Sequence, residues 1–207
     1  MSNSKLHFGC FLDGKLGGVM SYGSPLDKRK ILNTVKNTRW NEMLELNRMA
    51  FSDLLPKYSE SRCIAISVKL LKKNAPHIKW IISFSDATQC GDGTIYRASG
   101  FRLIGIKESK NLCKLKTGET IHKMTLESSP NKKRFELNGK SYYDITGGKY
   151  NFKKYVEQTK GVILKGYQLK YIYFIDKTKE KDLTVPIIPF SKIKEMGIGM
   201  YKGKMRV

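Results

Sequence analysis

No stretch of this chain approaches the roughly 18 consecutive apolar residues that a membrane-spanning helix requires. The opening residues, Met1 to Phe11, also lack the apolar segment of a secretory signal. A cytosolic protein without a membrane partner is expected. Cysteine is sparse and scattered. Cys10, Cys63, Cys90 and Cys113 include no pair two residues apart, so neither a zinc knuckle nor a redox pair is predicted, and four reduced thiols fit a cytosolic fold. His7, His77 and His122 are equally dispersed, and no metal ligand is assigned to them. There is no G-x-x-x-x-G-K-[ST] phosphate loop, no H-E-x-x-H and no G-x-S-x-G elbow. Acidic residues are the last shortage: 18 Asp+Glu stand against 39 Lys+Arg, a formal charge of +21.

Apolar residues are not scarce. With 40% hydrophobic and 11% aromatic residues in 207, the chain can bury a core, which excludes a disordered basic tail. The excess charge is spread along the whole length. Residues 1–110 hold 18 basic and 9 acidic residues (net +9), and residues 111–207 hold 21 and 9 (net +12). A folded body with that field attracts polyanions by releasing their counterions, which points to nucleic acid. The alternative is a lysine-rich surface reflecting an AT-rich genome, since 31 of the basic residues are Lys and 8 are Arg.

Along the chain, Asp13-Gly14 between two extended runs (5–12 and 15–22) predicts a hairpin with a type I′ turn. Gly17 and Gly18 in the second run suggest a kink or a close backbone approach. Residues 24–37 read as a loop or an irregular helix start, 42–51 as a strand and 52–58 as a loop. Ser59, Glu60 and Ser61 then open a helix as candidate caps, with Ile64, Val68 and Leu71 at i, i+4 and i+7 and Ala75-Pro76 closing it. A short apolar strand from Trp80 runs to Ser85-Asp86. Glycines 91 and 93 lead to a short helix over 94–99, and a strand follows over 101–107. The first half thus reads β-β-β-α-β-α-β. Beyond Lys110, Asn138-Gly139 predicts a second hairpin, 150–159 a helix and 162–176 a strand.

Three places carry chemistry. A helix start after a strand is an anion site, and Arg62 in its first turn adds a bidentate donor; ordinary capping with a solvated Arg62 explains the same residues. Asp86 ends the short apolar strand, the edge at which open α/β sheets bind ligands, and Tyr96 follows ten residues on. Asp86 as a helix cap and Tyr96 as a core residue remain open alternatives. Lys132, Lys133 and Arg134, with Lys149, Lys153 and Lys154 interleaved among Tyr150, Phe152 and Tyr155, could combine charge with stacking faces. The same pattern is a solvated face over a buried aromatic stripe, and core packing is the expectation for Tyr150 and Tyr155 individually.

The order hairpin, strand, capped helix, strand, followed by Gly93-Thr-Ile-Tyr-Arg-Ala-Ser-Gly-Phe101, resembles the acetyl-CoA-dependent GNAT acyltransferase superfamily. Within it, Ser59-Glu-Ser-Arg62, the strand ending at Asp86 and that same nine-residue motif are together similar to the Mom family of phage DNA-modification proteins. The similarity covers residues 5–107, with a looser echo at 169–174. It implies a GNAT-like α/β fold with a mixed sheet, comprising a catalytic core over 1–110 and a basic part over 111–207 that completes the sheet, in one domain overall. It implies conversion of adenine in double-stranded DNA to a methylcarbamoyl derivative at the exocyclic amine. It also implies acetyl-CoA or a related acyl-CoA as cofactor, with iron suspected in some members. Tyr96 would be the general acid, Asp86 the base or orienting group, Tyr22 a wall of the acceptor pocket, and Ser59, Ser61 and Arg62 the cofactor contacts. The chain departs from the superfamily's R/Q-x-x-G-x-G/A phosphate loop, having Ser59-Glu-Ser-Arg-Cys-Ile-Ala65 without those glycines. An ordinary N-acetyltransferase for protein or small-molecule amines, and a non-catalytic nucleic-acid-binding protein, are the competing readings.

Overall fold

A computed structural model of the chain describes residues 3–88, 91–128, 136–198, 200–201 and 204–205. Asp13 and Gly14 both take positive φ (49° and 74°), as a type I′ turn demands, and fold β1 (Ser4–Leu12) back on β2 (Lys15–Gly23). The paired glycines serve close approach. A Cβ at Gly17 would stand 2.7 Å from the Leu55 side chain, and one at Gly18 would stand 2.5 Å from Phe51. After the five-residue helix α1 (Lys28–Leu32), β3 (Met43–Phe51) lies antiparallel on the other side of β2. A bulge there lets Leu46 and Asn47 advance two residues for one step of β2, between Ser21 and Tyr22.

The crossover from β3 through α2 (Ser59–Asn74) to β4 (Trp80–Asp86) is a parallel connection. Helix α2 buries Ile64, Ser67, Val68 and Leu71, the i, i+3, i+4, i+7 stripe of an amphipathic helix, and ends where the Ala75 N–H bonds the Leu71 carbonyl before Pro76. Pairing of β3 with β4 lasts three rungs only, from Met43↔Trp80 to Glu45↔Ile82. Beyond that the strands part, and the Ser83 hydroxyl donates to the Leu46 carbonyl (3.0 Å), a side-chain link where the ladder has ended. On its other side β4 pairs along its whole length with the antiparallel strand β7 (Val162–Phe174). Helix α3 (Thr94–Ala98) then leads into β5 (Arg102–Lys114).

The chain forms two compact units, Met1–Ile106 with Gln168–Val207, and Lys107–Tyr167. The first is the mixed α/β sheet that the sequence predicts, in the order β1-β2-β3-β4-β7-β5. One of its faces packs Val35, Met43, Trp80, Ile82, Ile104, Ile172 and Phe174. Trp80 is fully buried, and its indole N–H donates to the Thr38 hydroxyl (3.1 Å). A 3₁₀ turn (Lys177–Asp182), α7 (Ser191–Glu195) and the short pair β8 (Met200–Tyr201) and β9 (Lys204–Met205) end the described chain.

The second unit holds the distal parts of β5 and β7, β6 (Thr120–His122), α4 (Lys123–Ser128), α5 (Tyr142–Thr146) and α6 (Phe152–Gln158). These pack around Cys113, Ile121, Leu126, Tyr142, Phe152 and Tyr155. The expected hairpin at Asn138-Gly139 is half right. Both residues have positive φ (51° and 73°) and Leu137 bridges Lys140, but the following segment is α5. Ser141 and Asp144 close a reciprocal capping box there, which starts a helix instead of a return strand. No helix among the described residues is long and apolar enough to cross a membrane.

Candidate functional site

Alternation along β4 and β7 decides where the candidate residues point. In an antiparallel pair, directly opposed residues share a face and successive ones alternate. Phe84 opposes Lys170 and Asp86 opposes Gln168, so Asp86 belongs to the face of Phe84 and Lys170; Ser83 opposes Tyr171 on the other face. Asp86 is half-buried, and its Oδ1 accepts the Thr88 amide (2.9 Å) in a tight Asx turn. It does not cap α3, whose N-cap is Gly93.

Tyr96 lies on the opposite face. Its ring sits between Phe101 (5.4 Å) and Tyr171 (5.1 Å), and the residue is 9% exposed. Helix α3 has five residues and could not stand alone, since helix nucleation is unfavourable at that length. Its start is pinned from β7. The buried Tyr171 hydroxyl donates to the Asp92 carbonyl (2.5 Å), and Asp92 Oδ1 accepts from the Thr94 amide (3.0 Å). Gly93 holds φ +73°, and a Cβ there would collide with the Tyr171 hydroxyl. Burial pushes the Tyr171 phenol upward, with Asp92 and Tyr96 adding to the effect. The Ser85 hydroxyl ties the end of β4 to the Gly91 carbonyl (3.0 Å), fixing the loop from its other end.

Tyr22 is fully buried, with its hydroxyl 2.6 Å from Ser67 Oγ. Ser67 spends its proton on the Ile64 carbonyl (2.8 Å), so Tyr22 is the donor in that bond. Burial pushes the Tyr22 phenol up to about 12; the Ser67 hydroxyl, turned to donate to an ionised phenolate, would oppose the shift, and Tyr96 adds to it. The Tyr22 phenol thus lies close enough to Tyr96 to feel its charge when ionised, although 74 positions separate them in sequence.

At the start of α2 the structure corrects the capping assignment. The N-cap is Tyr58, in the left-handed conformation (φ 70°), and no side chain caps the helix. Ser59 Oγ donates to the Pro56 carbonyl (2.7 Å) and Ser61 Oγ to the Tyr58 carbonyl (3.0 Å), so neither accepts a helix amide as a cap would. Arg62 is exposed in the first turn. A 16-residue helix without a side-chain cap, with an exposed guanidinium beside it, could hold an anionic group through its first backbone amides and Arg62. The half-buried Glu60 in the same turn is the one group opposed to an anion.

The basic candidates lie apart from these elements in sequence. Lys132, Lys133 and Arg134 fall outside the described residues. Lys149, Lys153 and Lys154 are exposed, while Phe152 and Tyr155 of α6 are buried, as expected for a solvated face over an aromatic stripe. Tyr150 departs from the core expectation: it is 62% exposed, with its ring 5.5 Å from Tyr143. Lys153 lies 3.8 Å from Glu157 with both side chains in solvent, an arrangement that holds the lysine weakly. Among the described residues, no group of three or more His, Cys, Asp or Glu is arranged to hold a metal ion.

Sequence reasoning missed Tyr171, Ser67 and Ser83. Tyr171 and Tyr173 recur at period two in a strand read correctly as a strand, so the alternation itself was the available signal. A serine on a helix's apolar stripe gives no such signal until its partner is known.

Among solved structures, the chain is similar to a Bacillus subtilis acetyltransferase in complex with CoA (12% identity, 79% of this chain and 74% of that one, TM-score 0.40). It is also similar to a GNAT family acetyltransferase from Elizabethkingia anophelis with acetyl-CoA bound (13% identity, 79% and 73%, TM-score 0.37). Among curated proteins, it is 30% identical over 194 residues to the methylcarbamoylase mom of Escherichia phage Mu, spanning 90% of this chain and 70% of that protein. The sequence model of the Mom protein family matches residues 1–192, and with that coverage the chain belongs to the Mom family.

Proposed function

We propose that this Mom family member is a GNAT-like enzyme that transfers an acyl-type group to the exocyclic amine of adenine in DNA. The product would be a methylcarbamoyl-type derivative that shields phage DNA from restriction in the host cytoplasm. The observation that carries the reading is the parting of parallel strands β3 and β4 beyond Glu45 and Ile82, with Asp86 and Tyr96 on opposite faces beside the opening. The name of the phage Mu relative supports the chemistry.

An acyl-CoA, when bound, supplies an activated carbonyl and a sulfur leaving group. Arg62 and the first amides of α2 would hold its phosphates. The adenine amine is a poor nucleophile, because its lone pair is delocalised into the ring. Asp86, on one face, orients that amine and accepts its proton as the new bond forms. Tyr96, on the other, holds a phenolic proton for the departing group. Tyr22, its proton committed to Ser67, serves as a rigid wall of the acceptor pocket. Lys149, Lys153 and Lys154 would meet phosphates, with Tyr150 exposed among them. The target base must leave the stack to be reached.

Mass spectrometry of nucleosides from the DNA of cells expressing the chain tests the reading. A new adenosine adduct, absent with an empty vector, is expected. Unmodified DNA with newly acetylated protein or metabolites would make it an ordinary N-acetyltransferase, and no adduct anywhere would make it a non-catalytic binder.

A further inference from the structure

The segment leading into β3 combines two features that the site above does not use. Between Leu26 and Trp40 lie five cations (Lys28, Arg29, Lys30, Lys36 and Arg39) and one acid, Asp27. Asp27 pairs with Lys30 (2.8 Å), and the Glu42 carboxylate accepts the Arg39 amide (2.9 Å); the other cations have no carboxylate within ion-pair distance among the described residues. Trp40 is 57% exposed and Lys28 Nζ lies 4.6 Å above its ring. Lys5 of β1 is close enough to depress the Lys28 ammonium, adding to the depression that burial causes first.

This is no frayed loop. Val35 is buried and bridges Leu183, the Thr184 amide bonds the Thr34 carbonyl (3.0 Å), and the Thr38 hydroxyl donates to the Val35 carbonyl (2.8 Å). Arg39 and Glu42 close a turn (3.1 Å) that carries Trp40 just past its first corner. A rigid turn thus presents a half-exposed indole, with Lys28 over one face, beside Arg29 and Lys36, which have no carboxylate partner among the described residues; that is the combination that single-stranded nucleic acid needs, charge for the backbone and a flat surface for a base. The segment also sits at the amino ends of β3 and β4, whereas α2 begins beyond the carboxyl end of β3. A nucleic acid here would not compete with a pyrophosphate at α2.

We propose that residues 28–40 form a DNA-strand surface of the first unit, with Trp40 stacking on an unpaired base and Lys28, Arg29 and Lys36 meeting phosphates. The inference rests on the reading of DNA as substrate, and binding without turnover tests it separately. The chain has two tryptophans, and Trp80 is fully buried, so a change of indole emission on binding reports Trp40. The probe is a 20-base-pair duplex with one unpaired adenine, titrated at low salt, with labelled-DNA anisotropy in parallel. Saturable quenching is expected in the wild type. Trp40→Phe should abolish the quenching while keeping a stacking ring, and Trp40→Ala should weaken binding by about tenfold. Lys28→Ser with Arg29→Ser should lower the slope of log K against log salt by about 2.

DNA binding without quenching, or equal quenching by heparin, which has no bases, would overturn the stacking surface and leave the proposed chemistry standing. An unchanged salt slope in the double variant would overturn the phosphate contacts. Absence of any DNA binding would overturn this inference and the DNA substrate together.

Discussion

Tyr171→Phe isolates the strut that holds Tyr96 in place. The substitution removes one oxygen and keeps the ring that packs 5.1 Å from Tyr96 and is stacked with Phe190 at 6.3 Å. What goes is a single hydrogen bond to the Asp92 carbonyl, made at 2.5 Å by a residue with no exposed surface. Losing a part-buried hydrogen bond of this kind costs about 1 kcal/mol. For a chain of this size that corresponds to a fall in Tm of about 2–4 °C per kcal/mol. The functional loss should exceed the stability loss. Residues 92–94 are released from β7, five-residue α3 has no independent stability, and a misplacement of about 1 Å at a reacting group can cost on the order of 100-fold in rate. Calorimetry and a turnover assay on the same preparation check both halves. Gly93→Ala should do the same by a different route, since the added Cβ meets the Tyr171 hydroxyl and the residue holds φ +73°. If Tyr171→Phe keeps both the wild-type Tm and wild-type turnover, the Tyr171–Asp92 bond does not position α3.

Three other outcomes rest on the same geometry. Burial raises the Tyr22 phenol from 10.0 to about 12. The folded protein therefore keeps a proton that the unfolded chain releases, and this contribution is complete below pH 10 and lost as pH rises through 12. Tyr22→Phe should flatten stability against pH in that window by about 1.4 kcal/mol per pH unit, measured by urea unfolding. Arg62→Ala should raise the donor KM by about tenfold, the worth of a charge-assisted contact, and leave DNA affinity intact; the reverse would move Arg62 to the DNA surface. Lys153→Ser with Lys154→Ser should weaken DNA binding uniformly across sequences and reduce the salt slope by about 2, read by anisotropy at several ionic strengths.

Much of the first unit was legible because its signals are local and strong. Asp13-Gly14 can do little but turn, and the Ile64, Val68, Leu71 stripe fits only a helix packed on one side. The faces of the site were not legible. The sequence puts Asp86 and Tyr96 ten residues apart, and only the register of β4 against β7 sends them to opposite sides of the sheet. Ser59 and Ser61 have the composition of caps, but the left-handed turn at Tyr58 aims both hydroxyls back at carbonyls, a tertiary choice that no spacing announces. At Asn138-Gly139 the turn residues were read and the following Ser141-x-x-Asp144 box was not, although both signals were present. Tyr150 was expected inside because its neighbours are aromatic. It precedes α6 instead of lying on its buried stripe, and so remains in solvent.

The central claim is that Asp86 and Tyr96 modify adenine in DNA from two sides of one opening. Its most direct measurement is nucleoside mass spectrometry on DNA from cells expressing the wild type, Asp86→Asn and Tyr96→Phe at matched levels. Asp86→Asn keeps the size of the side chain and the acceptor oxygen for Thr88, and Tyr96→Phe keeps the ring between Phe101 and Tyr171, so both should fold and bind DNA close to wild type. The adduct should appear with the wild type and be lost with each variant. Full modification by Asp86→Asn would reduce that carboxylate to a turn residue and contradict the mechanism.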